Sequence, residues 1–263
     1  MLPLERRSVL IGHMAKKGSV TIPELSGILN VSEMTVRRDL KQLECEGFVR
    51  RTHGGAVYMS ANKPLEPAFE DKRNARQWVK ELLAGYAALH FVNDNGMIVM
   101  EGGTTVTAMA AHLSEFNNLT VATNGLNTLQ ALMGVVSAGT VLGCGGMVRE
   151  RSNTFVGPIA AQFFAQIHAQ YAFFSASGFT AEQGFTDPNP MEREIKLAMA
   201  ATARTKVMLL DSAKFGHISL LTTFGIEDID VLVTDADAPE EALRVLRDGG
   251  IDVHVVNGIA SGI

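Results

Sequence analysis

The chain has little cysteine, few aromatics and no long apolar run. Its 263 residues hold two Cys, one Trp and three Tyr. Cys45 and Cys144 lie far apart and form no CxxC pair. That excludes a disulfide-stapled secreted scaffold and fits two reduced thiols in a cytoplasmic protein. The seven His (His13, His53, His90, His112, His168, His217 and His254) show no HExxH or paired-ligand spacing, so no metal is expected. The apolar runs 172–174 and 207–210 fall far short of the ~20 residues of a membrane span. Glu5-Arg6-Arg7 is followed by no apolar signal core, which argues against secretion. There is no low-complexity tract and no repeat.

What is present is asymmetric. Residues 1–60 carry nine Lys and Arg against six Asp and Glu, a net of +3. The other 203 residues carry 14 against 22, a net of −8. A basic end on an acidic body fits an electrostatic DNA footprint whose remainder stays off the phosphates. The excess is modest, so useful affinity calls for a dimer or tetramer.

The basic end has a pattern to match. Ile22 to Leu29 reads as a short helix, followed by a turn through Asn30-Val31-Ser32. Ser32 is a good N-cap for the next helix. There Val36, Leu40 and Leu43 recur at i, i+4 and i+7, which marks a buried face. Met34, Arg38, Lys41 and Gln42 fall on the opposite side, with Thr35 and Arg37 on the flanks. These are residue types that reach base edges and phosphates. Gly47 can end the helix. Val49-Arg50-Arg51 after Phe48 reads as a wing strand, His53-Gly54-Gly55 as its turn, and Ala56-Val57-Tyr58 as the return. The expectation is a winged helix-turn-helix over 1–58, with Ser32, Thr35, Arg37, Arg38, Lys41, Arg51 and His53 at the DNA. Residues 59–75, polar and with two prolines, read as a linker.

Beyond it, over 76–263, apolar runs alternate with helical patterns. The runs lie at 96–100, 119–123, 140–143, 171–175, 206–211, 231–234 and 253–256. This predicts an α/β domain with a largely parallel sheet flanked by helices. Ligands bind such sheets at the carboxyl ends of the strands. Those ends hold Glu101-Gly102-Gly103-Thr104-Thr105, Thr123-Asn124-Gly125, Gly145-Gly146 with Arg149, and Asp211-Ser212-Ala213-Lys214. Glycines admit a ligand close to the backbone, and hydroxyls, amides and cations suit a small anion. Glu192 and Lys196 share a helix face and read as a solvated i,i+4 ion pair.

Taken together, these residues resemble the DeoR family of bacterial transcriptional regulators over essentially the whole chain. The resemblance rests on Val31 through Glu44, Gly47, and Arg51-Thr-His-Gly-Gly-Ala56. It continues through Gly103-Thr-Thr105, Thr123-Asn124, Gly145-Gly146 with Arg149, Phe185-Thr-Asp187, Glu192 with Lys196, and Asp211 to Gly216. It implies a C-terminal domain similar to ribose-5-phosphate isomerase that binds a phosphorylated sugar, releasing the protein from its operator. Glu192 and Lys196 join the effector residues on this ground. Two positions depart from the pattern: Glu101, where the family has Asp, and Ala213, where it has Ser. The reading is a DNA-binding repressor of a sugar-catabolism operon, without cofactor. Two others compete. One is an isomerase-like enzyme fused to a DNA-binding module, using Asp211, Glu101, Glu192, Lys196 and Lys214 as acids and bases. The other is an activator with a vestigial pocket. The regulator is preferred because binding alone explains the strand-end groups.

Overall fold

A computed structural model describes residues 3–45, 49–52, 54–58, 66–136 and 139–257. Gly47, Phe48 and His53, assigned to the helix end and the wing, lie outside the described residues. The chain divides into two compact units, Met1–Ala75 and Arg76–Ile263.

The first unit opens with α1 (Pro3–Lys17), β1 (Ser19–Thr21) and α2 (Ile22–Leu29). Thr21 caps α2 by accepting from the Glu24 N–H, and Asn30 ends it in the left-handed region at φ 51°. Then come α3 (Glu33–Cys45), β2 (Val49–Arg51) and β3 (Gly55–Tyr58). The three strands form an antiparallel sheet in the order β1-β3-β2, with Arg51 opposite Ala56. Leu10, Met14, Leu25, Val36, Leu40 and Leu43 share its core. The linker reading is corrected at its end, because Phe69–Asn74 forms α4. Phe69 is buried, and Lys72 reaches back to Glu66 at 2.6 Å. Six residues span less than two turns, too few for a hydrophobic period to register.

The second unit runs α5 (Gln77–Phe91), β4 (Met97–Met100), α6 (Thr104–Ala108), β5 (Thr120–Thr123), α7 (Leu126–Leu132) and β6 (Thr140–Gly143). It continues through β7 (Met147–Arg149), β8 (Thr154–Val156), α8 (Pro158–Phe164), β9 (Ala169–Phe174), β10 (Gly178–Thr180) and β11 (Gly184–Asp187). The last elements are α9 (Pro190–Ala200), β12 (Ala203–Leu209), β13 (Leu221–Phe224), β14 (Val231–Asp235), α10 (Glu240–Asp248) and β15 (Asp252–Val256). Seven strands make one parallel sheet in the order β15-β14-β12-β9-β4-β5-β6. Strand alternation divides the apolar residues between its faces. Ile98, Met100, Phe173, Val207, Leu209 and Val233 pack with α5 and α6. Val99, Phe174, Met208 and Leu232 pack with α8, α9 and α10. A separate antiparallel sheet, β10-β11-β13, and the β7–β8 hairpin were not foreseen from the sequence.

The fully buried Phe174 sits against Phe224, with ring centroids 5.1 Å apart, and so joins the parallel sheet to the antiparallel one. Phe174→Ala is expected to destabilise the chain by about 3–5 kcal/mol through the cavity it leaves. Urea unfolding followed by circular dichroism checks the value.

Candidate DNA-binding helix and effector site

In the first unit the sequence places the exposed and buried faces of α3 correctly. Val36, Leu40 and Leu43 are fully buried, while Met34 is 71% exposed and Arg37, Arg38 and Lys41 are exposed. The Ser32 hydroxyl accepts from the Thr35 N–H at 3.3 Å and bonds the Thr35 hydroxyl at 2.9 Å. Both side chains are thereby tied to the helix start. Arg37 lies 3.9 Å from Glu33 across one turn. Two acidic residues that the charge pattern hid are structural. Asp39, buried on α3, accepts from Arg6 of α1 through both carboxylate oxygens. Glu44 accepts from the Arg51 N–H at 2.7 Å, tying α3 to β2.

In the second unit the strand order reverses between β4 and β9. A crevice opens at the carboxyl ends of strands at such a point. Lys196 of α9 lies there, 4% exposed. Its ammonium donates to the Ser175 carbonyl at 2.7 Å and to Asp187 at 2.9 Å, and lies 3.6 Å from Glu101. Burial disfavours its charge, but Asp187 and Glu101 outweigh that and raise its pKa above the ordinary lysine value. Asp187 also accepts from the Ser177 and Thr223 hydroxyls at 3.3 and 2.9 Å. Glu192 accepts from Arg149 and from the Thr154 hydroxyl, each at 3.2 Å. The solvated Glu192–Lys196 pair is therefore corrected. Both side chains are buried, and each bonds to partners distant in sequence.

Glu101 is the exception in this network. It is 7% exposed, and among the described residues its Oε2 has no hydrogen-bond partner. Burial pushes its pKa up. Lys196 opposes this, Asp187 and Glu192 reinforce it, and the Gly103 amide, the weakest of these influences, favours the charged form. Gly103 packs directly over the carboxylate, since a Cβ there would come within 2.5 Å of that Oε2. Thr104 is half-buried and Thr105 buried at the start of α6.

Other expected site residues prove to be stitching. Asn124 accepts from the Gly102 N–H at 2.9 Å and donates to the Phe155 carbonyl at 3.3 Å. Thr123 accepts from the Gly125 N–H at 3.0 Å. Gly145 and Gly146 have φ of +65° and +113°, and Gly146 faces the Val156 carbonyl, where a Cβ would come within 3.0 Å. They shape the turn into the β7–β8 hairpin, which carries Arg149 to Glu192.

Asp211 and Lys214 stand apart, past the end of β12, two strands from β4 and so about 10 Å across the sheet. Asp211 is buried, accepts from the Ala213 N–H at 3.1 Å and lies 3.5 Å from Arg76. Asp187, Ser175, Thr154, Thr223, Arg76 and Lys80 join these two clusters without having been singled out as site residues. Asp187 had a usable signal in Phe185-Thr-Asp187. The others had none, because short strands and lone helix positions brought them in.

Two predictions follow from this geometry. Arg38→Ala should weaken binding to a preferred duplex by ~1–3 kcal/mol and relax sequence preference if it reads a base. Fluorescence anisotropy against matched and mismatched duplexes measures it. Separately, burial lowers the pKa of Lys80 to about 8 from 10.5; Asp211 opposes the shift, and Lys214 and Arg76 add to it. Between these values the unfolded chain binds the proton and the folded one does not, so stability should rise as pH rises from about 8 to 10.5. Urea midpoints over that window, compared with Lys80→Met, should show the rise in the native sequence and its loss in the variant.

Comparison with known proteins places both units. The DeoR-like helix-turn-helix domain family matches residues 6–62, and the DeoR C terminal sensor domain family matches residues 78–236. The HTH-type transcriptional regulator GolR of Listeria innocua is 37% identical over 257 residues, covering 97% of this chain and 99% of its own. A putative aga operon transcriptional repressor of Escherichia coli O157:H7 is 30% identical, covering 96% and 93%. The glycerol-3-phosphate regulon repressor of Escherichia coli K12 is 27% identical, covering 97% and 100%. Among solved structures, ribose 5-phosphate isomerase from Plasmodium falciparum is similar over 52% of each chain at 10% identity and a TM-score of 0.38. The relatives are named as regulators, not enzymes, and among the described residues no helix is long and apolar enough to cross a membrane. The chain belongs to the DeoR family of DNA-binding transcriptional regulators.

Proposed function

We propose that this regulator is a repressor of a carbohydrate-utilisation operon, released from its operator by a small phosphorylated sugar or polyol at the β4–β9 crevice. The observation that carries the reading is Glu101. A buried carboxylate oxygen without a partner is costly, and a ligand hydroxyl that donates to it removes the cost. The Gly103-Thr104-Thr105 turn beside it offers backbone N–H and hydroxyl groups to a phosphate, and Arg149 adds positive charge nearby. Relatives named as repressors of the aga operon and of the glycerol-3-phosphate regulon support the sign of control. The effector acts by binding the DNA-free conformation more tightly, and the affinity difference is all it has with which to shift the balance. The repressor works as a dimer or tetramer, since the first unit alone carries a small positive excess.

A thermal-shift screen over pentose, hexose and triose phosphates tests this, because a ligand at 100 times its Kd stabilises its site by about 2.7 kcal/mol. The expected hit also lowers affinity for a duplex selected by the protein from a randomised library. Its dephosphorylated counterpart should bind about tenfold more weakly or worse, having lost the charge-assisted hydrogen bonds. Glu101→Gln should fold and bind the hit less tightly. Equal affinities with and without phosphate reject the phosphate assignment. Turnover of a sugar phosphate favours the isomerase reading instead.

A further inference from the structure

Arg76 stands where the two units join. Ala75 closes the first unit and Arg76 opens the second. Its backbone lies in the left-handed region, φ 49° and ψ 41°, at the N-cap of α5. A long side chain is a poor choice there, because only Gly, Asn and Asp adopt this conformation readily. Such a residue persists when its surroundings over-determine it, and here they do.

Its guanidinium reaches the carboxyl ends of two neighbouring strands. It lies 2.9 Å from Asp235, 3.5 Å from Asp211 and 3.8 Å from Asp237, and donates to the Ser212 hydroxyl at 2.9 Å. Asp211 and Asp235 are buried. Asp235 also accepts from the Ser212 N–H at 2.6 Å and from the Ser212 hydroxyl at 2.7 Å. Asp211 accepts from the Ala213 N–H. The turn over 211–214 and the guanidinium of Arg76 are thus one hydrogen-bonded assembly. Lys80, one turn further along α5, is drawn to Asp211 and repelled by Arg76 and Lys214. Shifting the 211–214 turn removes partners of the Arg76 guanidinium.

We propose that Arg76 is the coupling residue of this regulator: the 211–214 turn, through Asp211, Ser212 and Asp235, sets the backbone conformation of the joint that leads to the DNA-binding half. This goes beyond the identity of the effector and does not require it to be a sugar phosphate. Coupling free energies are reciprocal, so DNA held by the first unit must be felt at the turn.

The test uses DNA alone. Hydrogen exchange read by mass spectrometry is measured on the full chain with and without a saturating duplex selected from a randomised library. In the native sequence, peptides covering 209–216 should change their exchange rate by about fivefold or more on binding the duplex. In Arg76→Gln that change should vanish while the duplex remains bound. Asp235→Asn, which removes the anchor and leaves Arg76 in place, should lose it too and stands in if Arg76→Gln fails to fold. Arg76→Lys keeps the charge but not the fork and should retain only part of the change. An unchanged 209–216 segment in the native sequence overturns the proposal, as does a full response in a folded Arg76→Gln or Asp235→Asn protein. A failed sugar-phosphate screen leaves this result untouched, so the two readings fail separately.

Discussion

An ammonium group taken out of water must be surrounded by acceptors, and Lys196 meets that demand with groups from three other segments. The Ser175 carbonyl comes from the end of β9, Asp187 from β11 and Glu101 from the end of β4. The helix α9 is thereby fixed over the point where the sheet reverses its order. Asp187 passes the constraint on, because it also takes the Thr223 hydroxyl of β13 and the Ser177 hydroxyl before β10. One charge therefore locks the small antiparallel sheet onto the large parallel one. The cost is concentrated on Glu101, which shares Lys196 with a better-placed rival and keeps one oxygen unsatisfied. The unmet hydrogen-bonding demand of this cluster is one a polar ligand can meet.

The first unit follows a different rule. Its small positive excess understates what its surface offers, because one of the carboxylates that reduce it, Asp39, is buried. Asp39 grips Arg6, and Glu44 grips the backbone of Arg51. Both hold elements of the winged helix together, but Glu44 stays partly exposed one turn from Lys41 and also lies 3.9 Å from the Arg51 guanidinium. Net charge is a blunt guide to a nucleic-acid surface when some of the acids are fasteners.

Much of the fold was legible because its periods are long and regular. The spacing of Val36, Leu40 and Leu43 gave the buried side of α3, and the apolar runs gave all seven parallel strands within a few residues. What escaped was short. The strands β7, β8, β10, β11 and β13 have three or four residues each, and α4 has six. Unlike the equally short β4, β5 and β6, these strands carry no continuous apolar run, and six residues are too few for a helical period to register. The same limit explains the misreading of Glu192 and Lys196. Helical spacing places them on one face, but only the β7–β8 hairpin and β11 reveal that the face is covered and that each has a partner there. Asn124 and Thr123 were correctly placed at a strand end, yet their side chains are committed to neighbouring backbone.

Two glycines press together at the base of the crevice. A Cβ on Gly102 would come within 2.8 Å of the Gly125 Cα, and one on Gly125 within 2.6 Å of the Gly102 Cα. The ends of β4 and β5 therefore meet as bare backbone, and even a methyl group at either position forces a strand end to move. Such a floor has no side chain with which to choose between ligands. On the proposed reading, selectivity falls instead to the side chains of the neighbouring cluster, Glu101, Arg149, Asp187 and Glu192.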